Sequence, residues 1–96
     1  MKIIITGHHV RITDALKVYI KNKLKKLNKH FDNIINIHVI LIVEKERMKA
    51  EATLKIKHVN LYADDEKEDM YAAIDGLIGK IDGQLKKEKE KIKSYR

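Results

Sequence analysis

Several stretches of the chain follow the two-residue period or the β-branched composition of strands. Residues 2–8 form an isoleucine-rich run that ends around Gly7, and residues 34–44 are almost continuously apolar and β-branched. Such a continuous run is typical of a strand in the middle of a sheet. Residues 48–57 alternate between small or apolar and polar side chains, and a short run at 60–63 follows. The pattern therefore predicts four strands.

Two further segments follow the helical period. Thr13 is a suitable N-cap for a helix that begins at Asp14, whose carboxylate suits the positive end of the helix dipole. The apolar stripe of this helix consists of Leu16, Ile20, Leu24, Leu27 and Phe31. Residues 69–93 predict one long amphipathic helix. Its stripe consists of Met70, Ile74, Leu77, Ile78, Ile81, Leu85 and Ile92.

The predicted elements follow the order β-α-β-β-β-α. In the third strand Ala50 and Leu54 would point inward while Lys55 would meet water. One face of the sheet is then exposed, and both helices cover the other face. We therefore predict an α+β fold of two layers, a four-stranded sheet with two helices on one face. Residues 1–96 would form a single domain.

The composition excludes several classes of protein. There is no cysteine, so neither a disulfide framework nor a thiolate metal site can form. No apolar run approaches the length of a membrane span, and the isoleucines near the N-terminus form too short a core for a signal peptide. We therefore expect a cytoplasmic protein that does not act at a membrane.

The charge of the chain favours a polyanionic partner. The chain contains 21 Lys and Arg against 14 Asp and Glu, a formal charge of +7. Residues 1–48 carry ten cations against four acids, whereas residues 49–96 carry eleven against ten. Surplus positive charge on a small domain attracts nucleic acid or an anionic membrane surface. A lysine-rich surface that only maintains solubility is the alternative.

The first predicted helix has an unusual excess of lysine. Its lysines are Lys17, Lys21, Lys23, Lys25, Lys26 and Lys29, and it contains no glutamate. Like charges three or four residues apart destabilise a helix by about 0.2–0.5 kcal/mol per pair. Mixed lysine and glutamate would maintain solubility without this cost. The imbalance is therefore the strongest compositional indication of an anionic partner.

The polar clusters of the sequence do not predict catalysis. His8 and His9 are adjacent and have no third ligand at a recognisable spacing, so we expect no metal site. The acidic run at 64–69 precedes the long helix, and we interpret it as negative charge at the positive end of the helix dipole. The sequence contains no phosphate loop, nucleophile elbow or zinc-protease motif. We expect a protein that is not an enzyme and needs no cofactor.

Three glycines lie together on the predicted second helix. Gly76, Gly79 and Gly83 fall on the side opposite the apolar stripe, although each costs about 1 kcal/mol relative to alanine. Close approach of a nucleic-acid backbone is one explanation. The other is sequence drift on a solvated face, which a strongly anchored helix tolerates. The few aromatic residues do not form the paired strand aromatics on which an RNA-recognition motif stacks bases. Recognition by phosphate and by shape is therefore expected.

Two blocks of the sequence carry a family resemblance that spans nearly the whole chain. Residues 5–31 read ITGHHVRITDALKVYIKNKLKKLNKHF, and residues 69–93 read DMYAAIDGLIGKIDGQLKKEKEKIK. Both resemble the signature blocks of the ribosome hibernation-promoting factor family, which includes the ribosome-associated translation inhibitor. The β-α-β-β-β-α fold that the resemblance implies agrees with the predicted elements.

The resemblance implies binding to rRNA of the small ribosomal subunit, in the channel of mRNA and of A- and P-site tRNA. Occupancy would inhibit translation and promote hibernation, with stored ribosome dimers, in stationary phase or stress. The chain resembles the short form, which acts with a separate ribosome modulation factor, and we expect a monomer off the ribosome. The RNA-contacting positions carried over are Lys17, Lys23, Lys26, Lys29, Lys80, Lys87, Lys89 and Lys91.

Two alternatives remain open at this point. An α+β layout with a basic helix is also typical of general double-stranded RNA-binding modules. A structural or protein-interaction domain whose lysines only solvate it is the third possibility. The ribosomal hypothesis expects the lysines of both helices on one outward surface, which depends on how the helices pack.

Overall fold

The computed structural model describes residues 1–31, 33–57 and 59–94, with side chains of the last helix described as far as Glu90. The elements are β1 (Lys2–His8), α1 (Asp14–His30), β2 (Ile34–Glu44), β3 (Arg47–Ile56), β4 (Val59–Lys67) and α2 (Met70–Ser94). This order confirms the predicted β-α-β-β-β-α fold. The bounds of β1 and β2 and the start of α1 are those that the sequence predicts.

The four strands form one sheet in the order β1-β2-β3-β4. β1 runs parallel to β2, and the other two pairs are antiparallel. The apolar β2 therefore lies inside the sheet, as predicted. Glu44 pairs with Arg47 across the β2–β3 turn, in which Lys45 adopts a left-handed φ of 53°. Such a conformation lets a two-residue turn match the twist of the flanking strands.

Helix α1 begins and packs as the sequence indicates. The Oγ1 of Thr13 accepts a hydrogen bond from the backbone N–H of Leu16 at 3.2 Å, which satisfies one of the free donors of the first turn. All five residues of its predicted apolar stripe are buried. They join the inward residues of the sheet in one core. The inward residues of β3 are Ala50, Ala52, Leu54 and Ile56.

Helix α2 lies beside α1 on the same face of the sheet and covers the same core. Ala73, Ile74 and Ile81 have no exposed surface, and Leu77 and Leu85 are almost fully buried. The predicted stripe is thus confirmed for the described side chains, with Ala73 in addition and with Ile78 partly buried at its margin. Ile92 lies outside the residues whose side chains are described. Both helices cover one face of the sheet, which confirms the two-layer architecture.

Strand β4 is longer than predicted, and this changes the role of the acidic run. The strand continues to Lys67, and the first turn of α2 contains no acidic residue. The interpretation of the whole run as charge at a helix terminus was therefore wrong. Glu66 and Asp64 instead face cations of β3, with Arg47 at 3.8 Å and Lys49 at 4.0 Å. Asp69 keeps the expected role, because its Oδ2 accepts the N–H of Ala72.

Candidate nucleic-acid interface

Helices α1 and α2 lie side by side on the sheet and run in the same direction. The rings of Tyr19 and Tyr71 meet edge to face, with centroids 4.9 Å apart. One turn further along, Lys23 lies 3.6 Å from Asp75, and beyond that His30 and Asp82 line the same space between the helices. A groove follows the line of contact, and we call it the interhelical groove. It is lined by Lys23, Lys26, His30, Asp75, Asp82, Lys86 and Lys89.

The interhelical groove brings together three of the eight lysines that the resemblance singles out. Lys23 and Lys26 line it from α1, and Lys89 lines its far end from α2, beside His30 and Phe31. The Nζ of Lys89 lies 6.0 Å from the centroid of the Phe31 ring. Lysines from both helices therefore do share one surface.

The other predicted lysines lie elsewhere on the helix layer. Lys17 lies against β1, near Ile3 and Ile5. Lys29 and Lys87 are exposed on faces that point away from the core. The side chain of Lys91 lies outside the described residues. The predicted set is thus not one continuous patch.

Lys80 is engaged at the free edge of the sheet. Its Nζ donates to the carbonyl oxygen of Asp64 at 2.7 Å and lies 3.4 Å from the Oδ1 of Asp65. On the next turn, the Nε2 of Gln84 donates to the carbonyl oxygen of Tyr62 at 2.7 Å. These two side chains of α2 occupy carbonyls of the edge strand β4. Lys80 therefore has a structural role, and a phosphate would have to compete for it.

Two carboxylates offset part of the positive charge in the interhelical groove. Asp75 pairs with Lys23, and Asp82 pairs with Lys86 at 3.0 Å. Lys26, in contrast, has no carboxylate within ion-pair distance among the described residues. The surplus positive charge of the groove therefore lies toward the ends of the helices that carry Lys26 and Lys89.

Sequence reasoning missed some residues that line the interhelical groove. Lys86 was not among the carried-over positions, although it follows Asp82 by four residues, the spacing of a helical ion pair. His30 lies four residues after Lys26 and therefore on the same face of α1. The hydroxyl of Tyr19 donates to the Oδ1 of Asp75, and this hydrogen bond raises the pKa of Tyr19. No sequence spacing relates Tyr19 to Asp75, which only the packing of the two helices brings together.

The outer face of the sheet differs from the helix layer in its charge. Its outward strand positions carry four cations and four carboxylates, which balance. These are Lys2, Arg47, Lys49, Lys55, Glu44, Glu51, Asp64 and Glu66. The hydroxyl of Tyr62 lies 2.8 Å from a carboxylate oxygen of Glu51 and 3.0 Å from one of Asp64. The hydrogen bond to Glu51 chiefly raises the pKa of Tyr62. Carboxylates around the exposed aromatic ring make this face unfavourable for RNA.

The three glycines of α2 have different surroundings. A Cβ at Gly79 or Gly83 would meet nothing within 4 Å outside the helix; Gly83 faces solvent, and Gly79 lines the open interhelical groove. A Cβ at Gly76 would overlap the carboxylate of Asp65, which points from β4 toward the helix. That carboxylate pairs with Lys67 at 3.0 Å, and the pairing lowers the pKa of Asp65. Gly76 thus leaves the space that the Asp65 carboxylate occupies, a role different from both explanations that the sequence offers.

Alanine at the three glycines should therefore have opposite effects on stability. We expect Gly79→Ala and Gly83→Ala each to raise the free energy of unfolding by up to about 1 kcal/mol, the difference in helix propensity. Gly76→Ala should lower the midpoint of thermal unfolding, because the added methyl displaces the Asp65 carboxylate from its cations. Circular dichroism melts of the three variants test this. Equal stabilisation by all three would contradict the packing role of Gly76.

The described part of the chain contains neither a metal-binding cluster nor a membrane-spanning helix. Across residues 1–31, 33–57 and 59–94, no group of three or more His, Asp and Glu side chains is arranged to hold a metal ion. None of the helices, as far as they are described, has a stretch apolar and long enough to span a bilayer.

Comparison with known proteins identifies one family and two relatives that share a name. A family model described as "Sigma 54 modulation protein / S30EA ribosomal protein" matches residues 3–93. The ribosome hibernation promoting factor of Pseudomonas putida is 50% identical over 94 residues, which cover 98% of this chain and 92% of the relative. The factor of the same name from Escherichia coli K12 is 44% identical over 95 residues, 99% of this chain and 100% of the relative.

Solved structures agree with the fold. A ribosomal subunit interface protein from Coxiella burnetii superposes with a TM-score of 0.90 at 34% identity, covering 94% of this chain and 99% of the other. The N-terminal domain of Protein Y from Thermus thermophilus superposes with a TM-score of 0.84 at 28% identity, covering 91% of this chain and 98% of the other.

Proposed function

Because the chain belongs to the sigma 54 modulation protein / S30EA ribosomal protein family, we propose that it binds rRNA of the small ribosomal subunit through its helix layer and promotes ribosome hibernation. Its relatives in Pseudomonas putida and Escherichia coli are named for that role. Family membership also agrees with the expectation that the chain is not an enzyme.

The observation that carries this proposal is the meeting of lysines from two helices at one groove. Lys26 and Lys89 come from different elements and lie on the same outward surface. The outer face of the sheet is balanced in charge, whereas α1 carries six lysines against one aspartate. Folded rRNA offers closely spaced phosphates on a rigid scaffold, which such a surface can match.

Lysine contacts of this kind select shape without reading base sequence. An ammonium group is a point charge that positions a protein on the nucleic-acid backbone. The sheet offers no aromatic pair for base stacking within the residues that the structure describes. Specificity for the subunit would then come from the spacing of phosphates across the groove and its flanks, where Lys29 and Lys87 are exposed.

We further propose that the bound protein lies in the channel of mRNA and of A- and P-site tRNA. A domain in that channel excludes the ligands of translation, so initiation stops while the subunit stays intact. Idle ribosomes would then be stored as dimers in stationary phase or stress, with a separate ribosome modulation factor as a partner. The site of action is the cytoplasm, and the protein acts as a monomer until it binds.

Salt titration of binding tests the proposal. If about five to eight phosphates are neutralised, the logarithm of the association constant should fall with the logarithm of salt concentration with a slope of about −4 to −7. The measurement is co-sedimentation or fluorescence anisotropy with purified small subunits. Binding that is indifferent to salt would contradict the proposal.

Competition distinguishes the ribosomal function from general duplex binding. Bound protein should be displaced by tRNA and mRNA together on the small subunit, because all three would occupy one channel. A free RNA duplex of the same phosphate concentration serves as the control and should bind much more weakly. Equal affinity for the duplex would instead identify a general double-stranded RNA-binding module.

A further inference from the structure

The interhelical groove has two ends that differ in chemistry. At the end nearer the start of both helices, Asp75 accepts a hydrogen bond from Tyr19 and pairs with Lys23. The Nζ of Lys23 also lies 5.3 Å from the centroid of the Tyr19 ring. Tyr71 packs against Tyr19 from α2. We call this cluster, Tyr19, Lys23, Tyr71 and Asp75, the closed end of the groove.

The open end of the groove is lined by Lys26, His30, Asp82, Lys86 and Lys89. Its three lysines exceed its one aspartate and the adjoining Glu88 by one charge. At the closed end, one lysine is matched by one aspartate. Glu88 lines an adjoining pocket together with His30, Phe31 and Lys89.

On the basis of the proposed function, we propose that Asp75 sets the position of the RNA on the helix layer by excluding phosphate from the closed end. The side chain of Asp75 is 52% exposed, so an approaching phosphate would meet its charge directly. The carboxylate of Asp75 and a phosphate in contact with it repel each other even in a partly hydrated groove. Lys23, already paired with this carboxylate, gains little from a phosphate in addition. Phosphate contact is therefore confined to the open end.

Tyr19 gives this arrangement its rigidity. Its hydroxyl donates a hydrogen bond to the carboxylate of Asp75 from the neighbouring helix, which favours the orientation that keeps the charge over the groove. The interaction joins positions 56 residues apart in the chain. Asp75 is thus a positioning residue for RNA that acts by repulsion. This accounts for an acid within a surface that is otherwise rich in lysine.

A matched pair of lysine variants tests the inference. Lys23→Gln and Lys26→Gln each remove one charge from α1 at sites three residues apart. Loss of one phosphate contact near 0.1 M salt should weaken small-subunit binding about 5- to 10-fold and reduce the magnitude of the salt slope by about one. We expect that loss for Lys26→Gln and less than about a 2-fold change for Lys23→Gln.

Replacement of Asp75 by asparagine provides a second test of the inference. Asp75→Asn should tighten binding by about 3- to 10-fold, because repulsion disappears and Lys23 becomes free to contact phosphate. Glu46→Gln makes the same change of net charge in the exposed β2–β3 turn and should leave affinity within about 2-fold. Circular dichroism establishes that each variant is folded. If Asp75→Asn fails to fold, the comparison of the two lysine variants still tests whether phosphate is excluded from the closed end.

The outcomes separate this inference from the proposed function. If Lys23→Gln weakens binding as much as Lys26→Gln, or folded Asp75→Asn binds more weakly than the parent, then Asp75 does not exclude phosphate and the inference fails. Salt-dependent binding of the parent protein would leave the proposed function intact in that case. A parent protein that does not bind small subunits would overturn both.

Discussion

Truncation of Ile81 to alanine should lower the free energy of unfolding by about 2–5 kcal/mol. Ile81 has no exposed surface and packs in the middle of α2 against the single core. The loss combines the transfer free energy of the deleted carbons with the cost of the cavity they leave, because the sheet below can relax only partly. Domains of this size are stable by about 5–15 kcal/mol in total, so this variant should lose a large part of its stability.

Urea and thermal unfolding followed by circular dichroism measure this loss. For a chain of this length, each kcal/mol shifts the unfolding midpoint by about 4–8 °C. The matched control is Ile35→Ala, which removes the same atoms from a side chain that is 49% exposed on β2. Its effect should be much smaller, since little apolar surface returns to water. A similar loss for both variants would show that α2 does not anchor the core.

Reversal of charge at Lys26 and Lys89 together should weaken binding to the small ribosomal subunit by about 100-fold or more at moderate salt. Each site loses a cation and gains an anion on the surface that the proposed function places against phosphate. The two residues come from different helices, so a loss of this size requires both helices to contact the RNA. The double variant Lys26→Glu, Lys89→Glu should remain folded, because both side chains are exposed.

The control for this variant keeps the same net charge. Lys2→Glu with Lys55→Glu makes an identical change of four charge units on the outer face of the sheet. An effect of net charge alone would be equal for both double variants, whereas direct contact distinguishes them. Anisotropy titrations with small subunits provide the comparison. Similar losses for the two double variants would exclude the interhelical groove as the contact surface.

The sequence predicted elements well where side-chain period and local capping act together. The bounds of β2 follow from its continuous apolar run, and the start of α1 from the hydroxyl of Thr13. It failed at β4, because aspartate and glutamate are rare in strands and an acidic run directly before a helix suits the positive end of the helix dipole. Residues 64–67 are held in the sheet by their pairing with β3, whose Arg47 and Lys49 face the carboxylates of Glu66 and Asp64.

Only part of the candidate site could be predicted for a similar reason. Helical period places lysines on the outward sides of α1 and α2, but it does not say which flank faces the neighbouring helix. Lys17 and Lys80 therefore belonged to the predicted set although they lie toward opposite edges of the sheet. The pairing of Asp75 with Lys23 and Tyr19 depends on contacts between helices.

The separation of charge between the two layers also bears on how fast a partner is reached. A protein whose excess charge lies on one side experiences a torque in the field of an anionic surface and turns during diffusion. The helices then face the partner when the two molecules meet, so a larger fraction of encounters leads to binding. A variant with the same total charge spread onto the sheet would be captured more slowly by an idle subunit, even where its dissociation is unchanged.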